Sequence, residues 1–139
     1  MIFSIAAMTA QNFLKHQWQH RILVIQFDEV NQQNYTAQLH DLRINNSGLT
    51  ERKLIVYQFC DDQYRMGIDK ESEWRKADPL ILEEIKKDAD MDFSILLIGL
   101  DGGIKLRQSK ALTTEELFRI IDSMPMRARE IRESQRKNK

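Results

Sequence analysis

Cys60 is the only thiol in the chain, and a thiol does nucleophilic or peroxide chemistry only as its thiolate. Asp61 and Asp62 follow it directly, and neighbouring negative charges raise a thiol pKa rather than lower it. The simplest reading is a small hydrophobe at the end of a strand. The alternative is a thiol-dependent oxidoreductase or one-cysteine peroxidase working through Cys60. A single cysteine excludes an intrachain disulfide and any metal site built on several thiolates, so cysteine usage does not reveal the redox compartment.

The other reactive residue types are weaker candidates. His16 and His20 stand four apart, with His40 distant, and no carboxylate or thiol motif completes a metal site around them. Trp18 interrupts the pair and is expected to pack. Asp61-Asp62, Glu83-Glu84 and Glu115-Glu116 are adjacent carboxylates, and adjacent side chains on one element do not face one pocket. No acid/base pair is expected from them. Asp101-Gly102-Gly103 is flanked by Lys105 and Arg107. A phosphate loop leads into a helix N-terminus, whereas these glycines join two strands, which favours a tight hairpin. Lys105, Arg107, Lys110 and Arg127 form the best candidate binding patch, and Lys105, Arg107 and Arg127 are its core. Its partner would be an acidic protein surface or a glycan.

The elements that must position these residues follow from patterning. Residues 22–27, 54–59 and 93–100 are nearly continuous apolar runs, as strands buried on both faces require. A helix is expected over about 32–45, ended by Asn46-Ser47-Gly48. Asp78 as N-cap and Pro79 open a second over 80–88. Thr113 and Glu116 make a capping box for a third that buries Leu117, Ile120, Ile121 and Met124. Pro125 interrupts or kinks that helix, with a further turn or two through Ile131. Residues 93–100 fold back onto 104–107, where Ile104 and Leu106 alternate with Lys105 and Arg107. Residues 61–77 are polar and aperiodic apart from Trp74 and read as a long loop over the sheet edge. The sum is an α/β thioredoxin-like sandwich: a central mixed sheet, helices on both faces, and a C-terminal ββα unit.

The 139 residues make one domain, with a core over about 16–133, and apolar and charged shares of 42% and 30% are those of a globular protein. No apolar run approaches the roughly 18 residues of a membrane helix. Twenty-one basic residues balance twenty-one acidic ones, which gives no overall field for nucleic acid. From Arg127 onward six basic residues meet two acidic ones, so the tail carries +4 and the rest −4. These cations complement a helix dipole or contact an acidic or phosphate-bearing partner. No cofactor is expected, and the oligomeric state is not legible. Residues 1–10 read as a short arm or a cropped export signal.

Four separated segments carry a resemblance: Trp18-x-x-Arg21 before the first apolar run and Gly48-Leu49-x-x-Arg52 before the second; Leu97-Ile98-Gly99-x-Asp101-Gly102-Gly103-x-Lys105 at the hairpin; and Ile121-Asp122-x-Met124-Pro125-Met126-Arg127 near the end. With them, residues 16–133 resemble a bacterial DUDES-type domain of unknown function, related to segments of vertebrate sushi-repeat and equarin-like extracellular proteins. The resemblance implies a thioredoxin-like fold, no established catalysis, and a periplasmic or secreted location; a true start at Met1 would favour the cytoplasm. The function expected is a noncatalytic interaction domain whose binding surface lies near the hairpin and the Met124-Pro125-Met126-Arg127 turn. A structural subunit of an envelope assembly is a further possibility.

Overall fold

The computed structural model describes residues 14–30, 32–69, 72–86 and 93–137. The arm or signal expected over residues 1–10 lies outside them. The apolar runs form β1 (Arg21–Phe27), β2 (Leu54–Cys60) and β5 (Phe93–Ile98). β1 lies between the other two, parallel to β2 and antiparallel to β5. Every residue of β1 is buried, the consequence of a sheet covered on both faces.

One face carries Leu23, Ile25, Val56 and Leu97, covered by Leu39 and Leu42 of α1 (Gln33–Ile44), Leu49 of α2 (Asn46–Glu51) and Leu117 and Ile121 of α4 (Thr114–Asp122). The other carries Ile22, Val24, Tyr57 and Phe59, covered by Ile81 and Ile85 of α3 (Pro79–Lys86). The predicted caps are present: Glu116 N–H donates to Thr113 Oγ1 at 3.2 Å and Leu80 N–H to Asp78 Oδ1 at 2.9 Å. Buried Gln38 fixes the approach to α4, exchanging hydrogen bonds with both backbone groups of Leu112 at 2.7 and 2.6 Å.

Three expectations are corrected. Residues 61–77 are not a loop, because β3 (Gln63–Met66) and the short β4 (Arg75–Lys76) extend the sheet to the order β4-β3-β2-β1-β5-β6, where β6 is Ile104–Gln108. Their polarity reflects an edge position, and they are fastened by side chains. Gln58 accepts from Tyr35 Oη and Arg65 Nε at 2.5 and 3.2 Å, and the Arg65 guanidinium lies 4.4 Å from the centre of the Trp74 ring. Asn46-Ser47-Gly48 does not end helical structure but begins α2. Pro125 neither kinks α4 nor merely interrupts it; it takes the first position of a new helix, α5 (Pro125–Lys137), where proline's missing N–H costs nothing.

The β5–β6 hairpin forms as expected, but its alternation breaks. Leu97 faces Leu106 and Ile98 faces Ile104, which leaves Lys105 as the extra residue of a bulge. Leu106 therefore packs with the α4-side core and Ile104 with the α3-side core.

Candidate binding site at the arginine end of the sheet

The four sequence segments singled out above meet at the amino end of β1. Gly99 N–H donates to Gly103 O at 2.8 Å and Gly102 N–H to Gly99 O at 3.0 Å, and Gly102, at φ 86°, holds a left-handed conformation suited to glycine. Asp101 braces the turn, accepting from Gly103 N–H at 2.9 Å and pairing with Lys105 Nζ at 3.0 Å. These contacts, the Gly103 amide first, hold its carboxyl below the usual range. The turn before β1 is latched to the same hairpin: Trp18 N–H donates to Leu100 O at 2.6 Å and Gln17 Nε2 to Asp101 O at 3.0 Å. Trp18 does not pack as expected. It stands 59% exposed on a left-handed backbone at φ 69°, held there by these hydrogen bonds.

Behind the hairpin lies a cluster of buried guanidinium groups. Arg52 grips Asp122 through Nε and Nη2 at 3.0 and 2.9 Å and lies over the Phe118 ring, 3.9 Å from its centre. The ring sits so close to α2 that a Cβ at Gly48 would come within 2.5 Å of it. Glycine is thus required in Gly48-Leu49-x-x-Arg52 for packing. Arg127 was expected in a surface patch but is only 4% exposed. Its guanidinium bridges Asp122 at 3.0 Å, Glu51 at 3.2 Å and Glu130 at 3.5 Å, because α5 turns back over the end of the sheet. Burial opposes its charge, but these carboxylates outweigh that effect and raise its pKa. Arg21, wholly buried at the start of β1, donates through Nη1 to Arg52 O at 2.9 Å and to Glu130 at 3.0 Å.

A groove of about 420 Å³ opens between the hairpin and the α4–α5 junction. Leu100, Ile120, Met124 and Pro125 make its wall largely apolar, and Arg21, Lys105 and Ser123 supply polar groups. Of the expected binding residues, Lys105 lines this groove and Arg127 sits behind it in the salt-bridge cluster. Arg107 is not brought alongside, because it faces Leu96, on the α3 side of the sheet. Lys110 is exposed beyond the end of β6. Sequence reasoning missed Arg21 and Trp18. The signal available was an arginine continuous with a strand buried on both faces, where an ordinary surface arginine has no room.

The remaining candidates have other occupations. His16 and His20 come together, but their Nδ1 atoms face each other at 3.2 Å instead of converging on a metal. His16 Nε2 lies 2.7 Å from Tyr57 Oη. Burial, then the charges of His20 and Lys15, lowers the His16 pKa. Among the described residues no group of three or more His, Cys, Asp and Glu side chains could hold a metal ion. Cys60 is half-buried, and burial, followed by the charges of Asp61, Glu29 and Asp28 and a hydrogen bond to Asp61, pushes its thiol up to about 11. About one such thiol in ten thousand is ionised at pH 7. A smaller cleft of about 260 Å³ on the α3 face, between Lys15, Tyr57, Tyr64 and Lys76, offers no buried unpaired donor.

Fold and site together define an α/β domain, built on a six-stranded mixed sheet, with a groove backed by buried arginines. The chain belongs to the family described as a domain of unknown function (DUF4174), whose model matches residues 12–130 and so takes in every residue of the arginine cluster. The search of curated proteins found no match. Among the described residues no helix is long and apolar enough to cross a membrane.

Proposed function

We propose that the chain is a noncatalytic interaction domain on a thioredoxin-like scaffold and that the groove beside the hairpin is its ligand surface. The scaffold reading draws support from strand order: β6-β5-β1-β2 run side by side, with β1 and β2 parallel and β5 antiparallel to β1. Resemblance to segments of extracellular proteins fits a binding role, with an acidic protein surface or a glycan as partner chemistry. The observation that carries the proposal is the groove itself, a concave, mostly apolar surface with a few convergent polar groups. Lys105 contributes charge at its wall, Arg127 positions the cluster behind it, and Trp18 offers an exposed aromatic anchor beside the hairpin. Arg107 stands apart from the groove and would serve only a partner large enough to wrap β6.

A small-molecule fragment set titrated into the isotope-labelled full chain tests this reading by NMR. Shifts are expected at Leu100, Lys105, Ile120 and Met124, and they should vanish in Ser123→Trp, whose side chain fills the groove. Shifts confined to other surfaces, or surviving that substitution, would remove the groove from consideration.

A further inference from the structure

The groove's chemistry is set by the unused side of one guanidinium. Arg21 spends Nη1 on Arg52 O and Glu130, while its Nε and Nη2 have no hydrogen-bond partner among the described residues. Buried polar groups in folded proteins are nearly always paired, so two unpaired nitrogens on one fully buried side chain call for an explanation. Nε–H and the neighbouring Nη2–H point the same way and form one edge of the planar fork, whose spacing matches the two oxygens of a carboxylate. Arg52 uses this same edge on Asp122, at 3.0 and 2.9 Å. The site thus contains one occupied example of the pairing and one unoccupied edge.

The charges agree. Arg21, Arg52, Arg127 and Lys53 are linked by ion pairs to Glu51, Asp122 and Glu130, four cations to three carboxylates, while Lys105 is balanced by Asp101. The cluster has room for one more negative charge. Leu100, Ile120 and Pro125 supply an apolar wall, and Met124 and Met126 are its adaptable parts, since unbranched thioethers change rotamer readily. Resting on the reading of the groove as the ligand surface, we propose that it takes a carboxylate bearing an apolar substituent, with both carboxylate oxygens on Nε and Nη2 of Arg21. A free organic acid and the C-terminal carboxylate of a polypeptide share this chemistry.

The test uses the full chain and four probes: 4-phenylbutyrate, 4-phenylbutanamide, and an acetylated tripeptide ending in leucine as free acid and as amide. Calorimetry should show at least one acid binding at least about tenfold more tightly than its amide, the loss of a charge-assisted fork. The same acid should shift the Arg21 Nε–H resonance, a readout that a merely structural arginine would not give. Arg21→Lys keeps the charge but lacks the fork and should weaken the acid by about tenfold or more while leaving the amide unchanged. If that variant does not fold, the Nε–H shift in the natural chain decides. Preference for phenylbutyrate would identify a small acid as ligand, and preference for the peptide acid a chain terminus. Acid and amide binding equally within the groove would overturn the carboxylate assignment and leave the groove reading standing. Binding elsewhere, or none, would overturn both.

Discussion

At the carboxyl ends of β1 and β2 the chain places Phe27, Cys60 and the acidic residues Asp28, Glu29 and Asp61; at their amino ends it gathers Arg21, Arg52 and Arg127. Sheets of this type commonly bind ligands at the carboxyl ends of their strands. Here the acidic residues hold the one thiol there in its neutral form, whereas the opposite end has deeply buried charge, one unused donor edge and a groove. Scaffold geometry therefore does not locate the site, and the side chains do. The arginine end also carries more of the fold's electrostatic strain, since its cations are out of water and depend on a few carboxylates.

Glu130 is where the contrast breaks most sharply. It serves buried Arg21 and Arg127 at 3.0 and 3.5 Å and Lys53 at 3.7 Å. Removing one member of a buried pair leaves uncompensated charge in the interior, so Glu130→Ala is expected to lose about 3–5 kcal/mol in urea unfolding. Glu29→Ala, at the other end and exposed, should stay within about 0.5 kcal/mol of the natural chain. Equal effects at the two ends would mean that the buried cluster is not the weak point of the fold.

A smaller effect separates the ends by pH. Burial disfavours the Asp122 carboxylate, but hydrogen bonds from Arg52 and Arg127, together with their charges, outweigh it and hold the carboxyl below its usual range. With the folded pKa depressed, the stabilisation is present above the unfolded carboxyl's value of about 3.9 and is lost as pH falls through the lower folded value. Asp122→Asn should therefore be less stable than the natural chain at pH 7, by less than Glu130→Ala. The gap should close as unfolding is measured at pH 5, 4 and 3. A gap independent of pH would show that Asp122 acts through shape and neutral hydrogen bonds.

What the sequence disclosed follows the range of the forces involved. The apolar runs, the Thr113 and Asp78 caps and the glycine turn are local signals, and each appears in the fold. β3 and β4 were missed because Gln63–Met66 and Arg75–Lys76 gain strand structure by pairing at a sheet edge, which composition does not encode. The bulge at Lys105 depends on register with β5, so strict alternation put Ile104 and Leu106 on one face. The same limit applied to the site. Lys105 and the Met124-Pro125-Met126 turn were legible as neighbours of a groove, but a buried arginine reads like an exposed one until its partners are known. Arg127 was thus placed at the surface, and Arg21 was passed over.

The smallest expected effect belongs to the residue that looks most reactive in the sequence. Cys60 ends β2 with its side chain partly packed against the α4-side core and its S–H directed to Asp61 Oδ2 at 3.9 Å. Cys60→Ala removes one small half-buried group and should cost no more than about 1 kcal/mol, with ligand binding in the groove unchanged. Iodoacetamide alkylation offers the sharper comparison, because its rate follows the thiolate fraction. With the thiol pushed up to about 11, the rate should still be rising at pH 10, where an unperturbed cysteine of pKa about 8.5 has already reached its plateau. A plateau below pH 8 would mean that the carboxylates of this end do not suppress the thiolate. The contrast would then change sense, with a poised nucleophile at the carboxyl ends of the strands and a purely structural cluster at the other.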